Sequence, residues 1–170
     1  LFLLIENKQN TTMKNFVATN YTLKCVATDH EFEDAGWTLE DRECGEPSLI
    51  RAIYEKKKLE LKGEEYGLYT FCDWLPVKRL LKGSAAPVTY KSEALAKHLG
   101  LKNLYITLNG YSPKHGAKMT TGSFKETEAY SVCGRMDESE KRVLVVASAG
   151  NTARAFAKVC SENNIPLLLS

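Results

Sequence analysis

The run Val143-Leu144-Val145-Val146-Ala147, entered from Arg142, constrains the fold more than any other part of the chain. Continuous aliphatic and β-branched sequence of this length reads as a strand buried on both faces of a parallel sheet. Ser148-Ala149-Gly150-Asn151-Thr152 then reads as a turn, and Ala153, Phe156, Ala157 and Cys160 form one helical stripe that ends near Asn163-Asn164. Ile165-Pro166-Leu167-Leu168-Leu169 begins a second strand. Strand, helix and strand at this spacing make one βαβ unit. The economical architecture is therefore α/β, three-layer, with a mostly parallel sheet. Ligands in such folds sit beyond the carboxyl ends of the strands, which is where Ser148–Thr152 lies.

Upstream, residues 1–20 are expected to be a disordered tail. The apolar stretch Leu1–Ile5 is cut off by Glu6, short of the roughly 7 residues of a signal-peptide core, and nothing else approaches a transmembrane span. Residues 21–46 carry two cysteines among acidic side chains and short apolar stretches, a small turn-rich appendage. Residues 47–170 hold the α/β part. Leu49, Ile50, Ile53 and Tyr54 recur at three- and four-residue spacing after Pro47, which predicts a helix stopped by Gly63. Trp74-Leu75-Pro76-Val77 is an apolar patch, and a boundary falls near Gly83. Ser92 is placed to cap a helix that ends at Gly100, Asn103–Leu108 reads as a strand, Tyr111–Thr121 as a polar loop, and Ser123–Val132 as helical.

With 170 residues, 44% hydrophobic and 26% charged, the chain has material for one domain and a small appendage. A net charge of +2 supplies no global field toward nucleic acid or anionic lipid, so neither nucleic acid nor membrane is expected as a partner. The Lys56-Lys57-Lys58 run, flanked by Glu55 and Glu60, reads as a solvated face. Five widely spaced cysteines, an odd number, favour reduced thiols and a cytoplasmic setting.

Two segments carry candidate chemistry. A buried strand running into Ser148–Thr152 presents backbone N–H groups, two hydroxyls and an amide at a helix start, which suits an anion; simple helix capping by Ser148 or Asn151 is the plainer reading. In Thr121-Gly122-Ser123-Phe124-Lys125-Glu126 a lysine opens a helix beside an aromatic ring, a setting in which an amine can attack a carbonyl. An ordinary surface lysine is the alternative.

In this order, Gly122-Ser123-Phe124-Lys125 and Ala147-Ser148-Ala149-Gly150-Asn151-Thr152-Ala153 resemble the signature of the fold-type II, or β-family, pyridoxal-phosphate enzymes. The resemblance implies pyridoxal 5'-phosphate as cofactor. It implies Lys125 as the catalytic residue that carries the cofactor, Asn151 as the partner of the ring hydroxyl oxygen, and Ser148, Gly150 and Thr152 as the cradle of the substrate carboxylate. Pro87-Val88-Thr89-Tyr90 and Leu99–Tyr105 are similar to blocks ahead of the lysine in threonine synthases. Cys44–Leu49, Asp73–Val77 and Val145–Phe156 look most like the cysteate-synthase branch of methanogenic archaea. That branch implies β-replacement on O-phosphoserine by sulfite, giving cysteate, a coenzyme M precursor, and phosphate. Threonine synthase chemistry on O-phosphohomoserine, or a non-catalytic fragment, are the alternatives.

The sequence also departs from the pattern. Met119-Thr120 and Glu126-Thr127 stand where threonine synthases usually have Asn-Pro and Asp-Arg. Cys25 and Cys44 sit in a segment resembling a zinc ribbon, but Thr28 and Asp41 occupy the other two thiolate positions, so no metal is expected. The resemblance further implies a second lobe, bearing the cofactor-phosphate loop, beyond these 170 residues. On that reading the chain is the N-terminal part of an enzyme, inactive alone and a homo-oligomer when full length. Lys114 and Lys118 are expected to attract phosphate or sulfite by charge alone.

Overall fold

A computed structural model describes residues 16–36 and 38–170. The expected tail therefore lies partly outside the described residues, and its last part is not a free tail: Phe16 packs on the core and Thr19 is buried.

Three strands open the chain: β1 (Tyr21–Cys25), β2 (Glu31–Phe32) and β3 (Ile50–Tyr54). They form an antiparallel sheet in the order β2-β1-β3, with Tyr21 opposite Tyr54 and Cys25 opposite Ile50. The helix expected after Pro47 is thus a strand. Five residues of Ile, Ala and Tyr around one Arg satisfy either period, and the full ladder with β1 decides in favour of β. The pairing joins residues on both sides of position 46.

Residues Glu64–Trp74 form two short 3₁₀ turns across a kink at Gly67, whose φ of 57° is left-handed. A Cβ there would meet the Ser84 carbonyl oxygen at 2.2 Å, so the close approach of the two backbones demands glycine. Asp73 in this segment is buried, and Lys56 of the lysine run reaches it at 2.8 Å instead of standing free in solvent.

β4 (Val88–Lys91) pairs antiparallel with β5 (Tyr105–Leu108) around α1 (Glu93–His98). Ser92 precedes α1 as expected but makes no side-chain cap, and Gly100 follows it with φ 67°. The expected polar loop is a miniature hairpin of β6 (Tyr111–Ser112) and β7 (Ala117–Lys118). α2 (Lys125–Arg135) follows, then β8 (Leu144–Val146), α3 (Asn151–Glu162) and β9 (Leu167–Leu169).

β8 and β9 are parallel, with Leu144 opposite Leu167, so the βαβ unit stands as read. The expected mostly parallel sheet does not. Four of the five pairings among the described residues are antiparallel, because every connection except α3 is a local return rather than a crossover. The strand expected to be buried on both faces has only one face covered: Leu144 is buried, whereas Val145 is 61% exposed. The observed class is α/β built of small sheets. Its core lies where α2 and α3 pack together, around Tyr69, Val77, Tyr130, Cys133, Phe156 and Val159.

Candidate active site

The loop into α2 is shaped by its own hydrogen bonds. Gly122, at φ 73°, donates its N–H to the Met119 carbonyl at 3.1 Å, and Met119, fully buried, anchors the turn from beneath and donates to the Gly110 carbonyl. The buried Ser123 accepts the Lys125 N–H through Oγ at 3.2 Å. Lys125 is the first residue of α2, with its side chain 32% exposed. Its ammonium lies at the positive end of the helix dipole, and Glu126 and Glu128 in the first turn offset that arrangement. Glu128 Oε2 takes the Lys125 amine directly, one helical turn on, and the exposed Phe124 ring lies 5.3 Å from the amine.

At α3 the turn has a different character. Ser148 Oγ accepts the Gly150 N–H at 3.2 Å, and the Ser148 N–H donates to the Ser170 carbonyl beside β9. No side chain caps α3, so capping by Ser148 or Asn151 does not describe this helix. Asn151 is exposed and Thr152 half-buried, at a helix start whose leading N–H groups lack intrahelical acceptors.

The structure brings Lys125 and the Ser148–Thr152 turn onto two helices that pack against each other, but no hydrogen bond or ion pair joins them among the described residues. Lys114 and Lys118 lie on the exposed hairpin. A cleft of about 720 Å³ runs along β1 and β3, lined by Tyr21, Asp34, Tyr54 and Lys78, and includes none of the site residues.

The residues fit an aldehyde cofactor by their donor set and by space. Lys125 offers a primary amine, held by Glu128 and one-third exposed, and the α3 turn offers backbone N–H groups beside the exposed Asn151 amide. A Cβ added at Gly122 or Gly150 would meet nothing within 4 Å, so both turns leave their backbones open to a ligand.

Two charged connections near the site leave no local signal in the sequence. Asp34 and Arg135 make a bidentate pair that bolts the N-terminal sheet to the end of α2, at 2.8 to 3.1 Å. Burial alone would push the Asp34 carboxyl up, but hydrogen bonds from Arg135 and Tyr21 outweigh it and hold the group at about 2. The second is a buried Glu126–Lys158 pair beneath the lysine turn. Lys125–Glu128 and Lys158–Glu162 do have such a signal, their i, i+3 and i, i+4 spacing, each pair on one helix.

Cys25 and Cys44 flank the turn-rich part of the N-terminal sheet. Hydrogen bonds from Thr28 and Ser48 lower the Cys25 thiol to about 7, and the bond to Asp41 raises the His30 imidazole. Among the described residues no group of three or more His, Cys, Asp or Glu could hold a metal ion, and all five cysteines are unbridged. No helix among the described residues is long and apolar enough to cross a membrane.

The chain is similar to curated cysteate synthases. It is 43% identical over 153 residues to that of Methanospirillum hungatei, covering 89% of this chain and 35% of the relative. It is 44% identical over 149 residues to that of Methanocella paludicola, covering 88% and 34%. To that of Methanosarcina mazei it is 47% identical over 138 residues, covering 81% and 32%. The chain thus spans about a third of the length of the curated relatives it matches. No family model matches it, and no solved structure does. The resemblance to cysteate synthases read from the ordered motifs is therefore present across most of the chain.

Proposed function

We infer that this chain supplies the lysine-bearing part of a pyridoxal-phosphate-dependent β-replacement that converts O-phosphoserine and sulfite to cysteate and phosphate. The observation that carries the reading is the likeness to curated cysteate synthases over a stretch that includes both the Lys125 turn and the Ser148–Thr152 turn. Pyridoxal 5'-phosphate, when bound, would supply an electron sink conjugated to the substrate Cα. Lys125 Nζ would hold it covalently and, once released as a free amine, would take the Cα proton.

Glu128 has a part in this order of events. It holds the Lys125 amine in the chain and must release it before that amine can act. Asn151 is assigned to the ring hydroxyl oxygen. Ser148, Gly150 and Thr152 are assigned to the substrate carboxylate, which would take the Gly150 N–H over from Ser148 Oγ and is favoured there by the positive end of α3. The β-carbon–oxygen bond of O-phosphoserine breaks with its electron pair leaving on phosphate, and a carbon–sulfur bond to sulfite replaces it. β8–α3–β9 would seed the parallel sheet of a fold-type II enzyme, in a cytoplasmic homo-oligomer.

The test, on the full-length enzyme that the resemblance implies, is phosphate release and cysteate formation from O-phosphoserine with sulfite, run beside O-phosphohomoserine in water. Cysteate formation that depends on Lys125 supports the reading. Threonine from O-phosphohomoserine, with no cysteate, overturns it.

A further inference from the structure

Glu126 is the residue next to the proposed cofactor lysine, and it is completely buried. Successive helical residues point about 100° apart, so while Lys125 faces outward Glu126 turns inward beneath it. Its Oε2 accepts the backbone N–H of Thr121 at 2.9 Å, across the turn that delivers Lys125. Its Oε1 has no hydrogen-bond partner and lies 3.5 Å from Lys158 Nζ on α3. The hydroxyl of Thr121 is also buried without a partner.

Lys158 is held from several sides. It donates to the Gly83 carbonyl at 3.1 Å, to the Tyr130 hydroxyl at 2.9 Å and to Glu162 at 3.0 Å, and sits 5.1 Å from the Tyr130 ring centre. The ammonium is thereby fixed relative to α3, the helix that begins at Asn151.

A buried carboxylate with one oxygen lacking a hydrogen bond is a costly way to fill space, and an apolar side chain of similar size often serves stability better. The geometry assigns Glu126 as a positioning residue: through the Thr121 N–H and Lys158 it links the Lys125 turn to α3, and so sets where the Lys125 amine stands relative to the Ser148–Thr152 turn. This assignment rests on the reading of Lys125 as the cofactor lysine.

The test compares the unsubstituted chain with Glu126→Leu and Glu126→Gln, the latter keeping an acceptor for Thr121. Two probes report on the Lys125 amine: acetic anhydride, and pyridoxal phosphate trapped with borohydride. Peptide mapping gives Lys125 labelling relative to Lys114 and Lys118 in the same digest, and hydrogen exchange follows the Thr121 amide.

Glu126→Leu is expected to speed Thr121 exchange about tenfold or more, the worth of a hydrogen bond to a charged group, and to change the Lys125 labelling ratio with it. Glu126→Gln is expected to restore part of both. A folded Glu126→Leu chain with an unchanged Lys125 ratio overturns the assignment, whatever its melting temperature. If Glu126→Leu does not fold, Lys158→Met cuts the other end of the link, and an unchanged ratio there overturns it equally. Absence of pyridoxal-phosphate labelling in the unsubstituted chain counts against the cofactor reading alone, because acetylation and Thr121 exchange still decide the positioning role.

Discussion

Arg135→Ala should cost the protein about 3 kcal/mol, the low end of the range for breaking a buried ion pair. Arg135 spends three hydrogen bonds on Asp34 and a fourth on the Thr38 carbonyl. The Asp34 side chain is only 3% exposed, so removing the guanidinium leaves a largely buried carboxylate without its charged partner. Part of the loss is offset, since Tyr21 and the Gly36 N–H continue to donate to it. The Asp34 carboxyl titrates at about 2 in the folded chain, below the roughly 3.9 of an unfolded aspartate. Its contribution is therefore complete above about pH 4 and fades as pH falls through 2. Urea unfolding followed by circular dichroism at pH 7 and pH 3 measures both effects. The Arg135→Ala chain should lose stability at pH 7 and show a smaller further loss on acidification. An Asp34→Leu, Arg135→Leu double variant should recover much of the single-variant cost. A cost under about 1 kcal/mol for Arg135→Ala at pH 7 would refute the view that this pair bolts the N-terminal sheet to α2.

Gly67→Ala should destabilise by well over the roughly 1 kcal/mol of an ordinary glycine replacement, because a left-handed φ and the Ser84 carbonyl both oppose a Cβ; thermal unfolding checks it. Glu128→Ala should raise acetylation of Lys125 about twofold relative to Lys114, the modest gain expected from freeing a partly exposed ion pair, with peptide mapping as the readout. Tyr69→Phe should cost about 1 kcal/mol in urea unfolding, since its buried hydroxyl donates to the Tyr130 carbonyl at 3.3 Å.

The βαβ unit was legible because two aliphatic runs and one apolar stripe each carried their own period, and β8, α3 and β9 follow them. α2 and the glycine stop after α1 were legible for the same local reasons. β3 was not, because five residues cannot distinguish two periods and its partner β1 lies some 25 residues earlier. The extent of parallel sheet was also beyond composition: an aliphatic run states a strand's capacity for burial, whereas the exposure of Val145 and Leu168 depends on what packs over them. At the site, Lys125 and the α3 turn came from motif order. Glu126 did not stand out, since a glutamate beside a lysine looks solvated until the helix turns it inward onto Thr121 and Lys158. Arg135 and Asp34, about a hundred residues apart, leave no trace in local pattern.

Whether Lys125 is the cofactor lysine is decided by an absorbance scan of the purified chain with pyridoxal phosphate, before and after borohydride, with Lys125→Ala alongside. A near-visible band that borohydride fixes at Lys125 and that Lys125→Ala abolishes is expected. Labelling that spreads over surface lysines and is unaffected by Lys125→Ala would contradict it.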